Sequence, residues 1–210
     1  MLLVAALLIA VVDWWAVWRD QQRLIYLAKP LVMVAVIAAV KVMPDSPPLL
    51  RTLTVAGMGF GLLGDIALMR GKFVPGAAAF ALGHLSYIAA WLPLIKPGLW
   101  LLASFVIFGL LLAAIAPAIV QGARAKKPLL GKVVFGYQFL LFAMVVTAGG
   151  TEVWLLAIGA MLFGVSDAIL GWSRFARDMP QLRVVVHITY HLGQVAIAAA
   201  TPLVANLVSP

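Results

Sequence analysis

Two aspartates stand inside stretches that otherwise carry almost nothing polar. Asp65 lies in Phe60-Gly61-Leu62-Leu63-Gly64-Asp65-Ile66-Ala67-Leu68, and Asp167 in Phe163-Gly164-Val165-Ser166-Asp167-Ala168-Ile169-Leu170. A charged side chain at the centre of an apolar membrane helix costs about 2.5–3.5 kcal/mol, so such residues tend to face an interior or a watered cavity and to mark function. Each aspartate is followed by a further polar pair, His84 with Tyr87 and His187 with Tyr190, and the second of these continues into His191 and Gln194. Lys29 enters an apolar run shortly after Tyr26, and Tyr137 with Gln138 enters another. Two carboxyls in a low-dielectric setting are the equipment of general acid–base catalysis, because like charges held close share a proton.

Other chemistries lack their residues. There is no cysteine, hence no disulfide, thiol nucleophile or Cys-held zinc. No His-Glu-x-x-His or Gly-x-Ser-x-Gly occurs, and Ser166 has no base beside it in sequence. The stretch Gly57 to Gly64 lacks the Gly-Lys-Ser/Thr ending of a phosphate loop; Gly57, Gly61 and Gly64 share one helix side and favour close helix contact. No metal site and no cofactor are expected. The metal-bearing alternative is a hydrolase that gathers His84, His187, His191 and an aspartate around one ion.

The elements that must position these residues are membrane helices. Of the 210 residues, 65% are hydrophobic and 10% charged, and the mean hydropathy is +1.11; a soluble domain carries about 25% charged residues. The expected fold class is therefore an all-α integral membrane protein of about eight transmembrane helices. Charge, Pro and Gly divide the chain into runs 2–18, 24–43, 49–69, 73–95, 98–120, 131–149, 152–173 and 182–207, each near the ~20 residues that a span requires. Residues 1–210 read as a single multi-span domain, with Pro202 kinking or ending the last helix. The first run has no basic residue before it and contains Asp13, so it reads as a retained helix rather than a secretory signal. The net charge of +8 sits in loops, which argues against a nucleic-acid partner, and nothing implies a protein partner. The odd-numbered loops hold eleven Lys and Arg and the even-numbered ones three; this bias sets the odd loops in the cytoplasm and both termini outward, in the inner or plasma membrane if the source is bacterial.

The two aspartate stretches also suggest a duplication. Asp65 and Asp167 are 102 residues apart, His84 and His187 are 103 apart, and Lys29 and Lys132 extend the series at 103. Two parallel four-helix repeats, about 1–100 and 101–210, would follow, related by an axis along the membrane normal. Helix rise then sets the polar groups at similar depth, about 6 Å inside the basic end for each aspartate, converging on one cavity. The plainer readings are helix-interface pairing for the aspartates, with Arg70 and Arg174 as partners, snorkelling for Lys29, and a structural role for Asp13.

At these residues the sequence resembles the YhhN/TMEM86 family of membrane lysoplasmalogenases. The resemblance rests on Lys29-Pro30, Gly64-Asp65 with Leu68, Phe80, Gly83, His84 and Tyr87, Tyr137, Gly159 through Ser166-Asp167, and Tyr190 with Gln194. His187 and His191 are outside that pattern. It implies hydrolysis of the vinyl ether bond of lysoplasmalogen, a lysophospholipid in membrane lipid, to a fatty aldehyde and a glycerophospho-alcohol. Protonation of the double bond and attack of water on the resulting oxocarbenium ion need a proton donor and a cation-stabilising base. Asp65 and Asp167 suit these roles as catalytic residues, and Lys29, His84, Tyr87, Tyr137, Tyr190 and Gln194 as substrate-binding ones. Lys29 or the loop arginines would hold the phosphate, and the apolar cavity the chain. A hydroxyl bond from Ser166 would leave Asp167 as the ionised partner and Asp65 as the acid. The competing reading is a small-molecule or lipid transporter, whose sites are also polar groups near the midplane.

Overall fold

The computed structural model describes residues 1–43 and 47–207. Among them are eight α-helices: α1 (Leu2–Trp18), α2 (Gln22–Lys41), α3 (Pro48–Met69), α4 (Phe73–Trp91), α5 (Leu99–Lys126), α6 (Pro128–Gly150), α7 (Trp154–Phe175) and α8 (Arg183–Ala205). Seven are long and apolar enough to cross a membrane, and α1 at 17 residues is shorter. Consecutive helices pack against each other except α4 and α5, with α4 lying against α6 instead, and α8 closes the bundle against α1, α2 and α3. The turn between α2 and α3 falls partly outside the described residues.

The expected runs match these helices apart from their ends. The largest departure is α5, expected to stop at 120 but continuous through Pro117 to Lys126, with Lys127 alone joining it to α6. Proline removes a backbone donor and would end a helix in water; in a membrane the neighbouring helices hold it in place. Pro202 behaves likewise, and α8 runs three residues beyond it to Ala205.

Small residues set the closest approaches. A Cβ added to Gly57 would stand 2.6 Å from the Tyr87 ring, one on Gly64 would stand 2.6 Å from the Phe80 ring, and one on Gly61 would stand 3.2 Å from the Tyr190 hydroxyl. The glycine side of α3 is thus the floor on which three aromatic side chains of α4 and α8 lie. The α7–α8 pair meets backbone to backbone, since a Cβ on Gly193 would come within 2.8 Å of the Gly159 carbonyl. At the basic end, Asp20 and Arg183 pair at 3.2 Å, and Lys126 donates to the Arg174 carbonyl at 2.9 Å. At the other end the Glu152 carboxylate accepts from the Trp100 and Leu101 amides at 3.2 and 3.0 Å, capping the start of α5.

Because Gly193 faces backbone, which cannot rotate away, Gly193→Val should force α7 and α8 apart at a cost of about 1–3 kcal/mol. Gly59→Val, where an added Cβ meets nothing within 4 Å, should be tolerated. Thermal melts of the two purified variants in detergent check this, with a drop of several degrees expected for the first alone.

Candidate functional site

The interior polar groups sort into three centres. The first joins α2 and α3, where the Lys29 ammonium lies 2.8 Å from Asp65 Oδ1 and the side chains are 11% and 1% exposed. Lys29 also stands 5.1 Å from the Tyr190 ring centroid, a cation–π distance. The Tyr190 hydroxyl, lodged over Gly61 one turn from Asp65, faces the same carboxylate. Lys29 is therefore paired with Asp65, as an ammonium in a dry interior is held by the nearest carboxylate.

The second centre surrounds Asp167 on α7. The Tyr137 hydroxyl, from α6, donates to Asp167 Oδ2. His84 Nε2, from α4, lies 3.2 Å from the same oxygen and 3.1 Å from the Tyr137 hydroxyl. His84 is fully buried and its Nδ1 has no hydrogen-bond partner. Both neighbours converge on Oδ2. Ser166 does not contribute, because its hydroxyl donates to the Val186 carbonyl at 2.9 Å, which removes the basis for ranking Asp167 as the ionised partner. Arg174 lies over the Phe73 ring rather than on Asp167.

Phe163 packs among aromatic side chains of both centres. Its ring centroid is 5.1 Å from His84, 5.5 Å from Tyr190, 6.2 Å from Phe80 and 6.5 Å from Tyr87. Tyr87 completes the wall by donating to Gln194 Oε1 at 2.7 Å.

The third centre was not legible as a unit. Asp13 of α1 accepts from His187 Nδ1 at 2.6 Å, with His191 Nδ1 at 3.8 Å, and the Trp14 indole N–H donates to His191 Nδ1 at 3.2 Å. The polar stripe of α8 is split by this arrangement: Tyr190 and Gln194 serve α3 and α4, while His187 and His191 serve α1. The expectation of one shared cavity gives way to separate centres. His84 sits with Asp167, so it does not join His187 and His191 in the ligand set of the metal-hydrolase alternative. The available signal was the i, i+4 spacing of His187 and His191, which puts them on one side of α8 opposite an aspartate that had no repeat mate.

The second centre opens on a cavity. A space of about 300 Å3, walled by α4, α5, α6 and α7, is lined by apolar side chains such as Phe80, Leu112, Leu141 and Phe175, with Tyr137, Gln138 and Asp167 among them. Ligand pockets begin at about this size and share this pattern of a few polar groups in an apolar wall. Asp65 is not part of the lining.

The YhhN family model matches residues 24–201, a stretch that includes every residue of the three centres except Asp13 and Trp14. The chain is 36% identical over 144 residues to lysoplasmalogenase TMEM86B of Sus scrofa, covering 65% of this chain and 57% of the relative. It is 34% identical over 140 residues to lysoplasmalogenase TMEM86B of Homo sapiens, covering 64% and 57%. The chain thus spans little more than half the length of the curated relatives it matches. No solved structure matches.

Breaking a buried ion pair on one side leaves an uncompensated charge and costs about 3–5 kcal/mol, whereas replacing both partners by apolar groups is close to neutral. Lys29→Met should therefore lower the melting temperature in detergent sharply, and Lys29→Met with Asp65→Leu should recover most of the loss. An unaltered melt for the single variant would mean that the pair contributes nothing to the fold.

Proposed function

We propose that this chain, which belongs to the YhhN family, cleaves the vinyl ether bond of a lysoplasmalogen-type lysophospholipid, with Asp167 as the catalytic acid. The observation that carries this reading is the Asp167 centre itself: a carboxyl on the wall of an apolar cavity, with Tyr137 and His84 both gathered on Oδ2. The family and the names of its relatives supply the reaction class. The cavity supplies a place for the alkenyl chain, and the carboxyl supplies the proton.

The steps follow from that geometry. With Oδ2 occupied by its two neighbours, Oδ1 carries the transferable proton into the cavity. It protonates the vinyl carbon remote from oxygen, and the electron pair of the double bond forms the new C–H bond. The adjacent carbon becomes an oxocarbenium ion, and the charge left on Asp167 is spread by the hydrogen bonds to Oδ2. The carboxylate then takes a proton from a water molecule as its oxygen bonds to the cationic carbon, which gives a hemiacetal and restores the acid. Collapse of the hemiacetal breaks its bond to the glycerol oxygen, which leaves with the hemiacetal proton, and releases the fatty aldehyde. Asp65, paired with Lys29 and absent from the cavity lining, touches neither substrate nor water in this scheme.

A positioned general acid is worth about 10²–10⁴-fold, so Asp167→Asn should lose at least about 10²-fold in kcat on lysoplasmalogen while melting normally. Tyr137→Phe removes one bond to the forming carboxylate and should cost about 10–100-fold, the scale of a hydrogen bond to a charged group. The assay uses purified protein in detergent with lysoplasmalogen and the matching acyl lysophospholipid, and reads aldehyde release. Activity without a membrane gradient separates an enzyme from a transporter. Cleavage of the acyl ester alone, or near-normal turnover by folded Asp167→Asn, would overturn the assignment.

The basic end of the bundle, where Arg19, Arg70, Lys72, Arg124, Lys127, Arg174 and Arg177 cluster, faces the cytoplasm in this reading, with both termini outward. The cavity then opens toward the inner leaflet. Reporter fusions after Arg70, Lys127 and Arg177 should register the cytoplasm and a fusion at the C-terminus the opposite side; the reverse pattern would invert the substrate's route.

A further inference from the structure

The catalytic cavity has a neighbour. On the outer side of the α5–α6 hairpin lies a groove of about 740 Å3, bordered by Pro117, Gln121, Arg124, Phe135 and Phe139. Phe135 and Phe139 are exposed, so in a bilayer the groove faces lipid. Two residues, Leu112 and Gln138, line both this groove and the cavity that holds Asp167, and they form the partition between them.

Gln138 is the unusual member of that partition. It is 8% exposed, yet its carboxamide oxygen has no hydrogen-bond partner, in a setting where an unpaired polar atom costs about 1–3 kcal/mol. The buried oxygen can accept one O–H. At the basic end of the same groove stands Arg124, exposed and without an ion pair among the described residues. Its backbone packs against Gly131, where an added Cβ would stand 2.8 Å from the Arg124 Cβ. From Gly131 to Gln138 along α6 is ~10 Å at the α-helical rise. Less the reach of an arginine side chain, that leaves roughly the length of a glycerol between guanidinium and carboxamide.

We propose that Gln138 reads the free secondary hydroxyl of the lysophospholipid glycerol, while Arg124 takes its phosphate in the groove and the alkenyl chain passes the partition to Asp167. The inference rests on the vinyl ether reading above and extends it to substrate choice. A two-chain lipid has an ester in place of that hydroxyl, so it offers the carboxamide no donor and adds a second chain at the partition. A site built to bond a hydroxyl discriminates against the analogue lacking it, because its own buried polar atom is then left unpaired. Arg124, as a planar fork of donors, suits a phosphate.

The test uses the full chain in detergent with three alkenyl substrates: lysoplasmalogen, its analogue lacking the secondary hydroxyl, and the alkenylglycerol lacking phosphate. The wild-type chain should prefer the first over the second by about 10-fold in kcat/KM, the scale of one hydrogen bond. Gln138→Met, of similar shape but with no acceptor oxygen, should erase that preference by lowering activity on the first while leaving the second unchanged, and the unchanged substrate reports intact folding. Arg124→Met should raise KM about 10-fold on both phospholipids with kcat unaltered, and leave the phosphate-free substrate untouched. An equal loss on all three substrates, or a preference that survives Gln138→Met, would overturn the proposal while the hydrolase reading stands. A wild-type chain inactive on all three would overturn both.

Discussion

A charge that enters hydrocarbon must bring its partner with it, and the Lys29–Asp65 pair at 2.8 Å is where this chain meets that demand most directly. The pair fixes α2 against α3 in rotation as well as in depth. Once the ammonium is anchored it also supports the face of Tyr190 at 5.1 Å, which brings α8 into the same core. The hydrophobic effect does little to discriminate among helix arrangements when lipid tails are as apolar as the side chains. Polar pairing and close packing of small residues must then specify the bundle. Gly57, Gly61 and Gly64 perform the second task on α3, admitting aromatic side chains that larger residues would expel.

The two acids illustrate how context separates residues that look equivalent in sequence. Asp65 faces a lysine and no cavity; Asp167 faces a tyrosine, a histidine and an apolar space. One is committed to an ion pair, and the other stands on the wall of a cavity. Phe163 packs against His84 beside Asp167 and Tyr190 beside Lys29, so its ring is shared by both surroundings.

Which segments span the membrane was legible because span length is a one-dimensional property of the chain. The exception, α5 beyond residue 120, arose at Pro117, whose helix-breaking tendency is a property of water more than of lipid. That these polar groups turn inward was legible too: Lys29, Asp65, His84 and Asp167 are all buried. What could not be read was azimuth. The His84–Asp167 and His187–Asp13 contacts join residues 83 and 174 apart, and their choice depends on how each helix is rotated about its own axis, which packing against neighbours decides. The stripe on α8 looked like one surface for that reason, yet it is divided between two sets of neighbours. Ser166 was misjudged similarly: adjacent residues on a helix point about 100° apart, so it turned to the Val186 carbonyl and away from the aspartate beside it.

The span of 174 residues between Asp13 and His187 has a consequence for biogenesis. Synthesis at about 5–20 residues per second would deliver α8 roughly 10–35 s after α1 has left the ribosome. Throughout that interval the first helix, short for a membrane span and carrying a carboxyl, lacks the imidazole that will receive it. The last helix also brings Tyr190 to Asp65 and Gln194 to Tyr87, so the nascent bundle holds several unmatched polar groups until translation is nearly finished. Such a chain depends on whatever shelters half-assembled helices at the insertion site, and a truncation within α8 would leave several polar centres open at once.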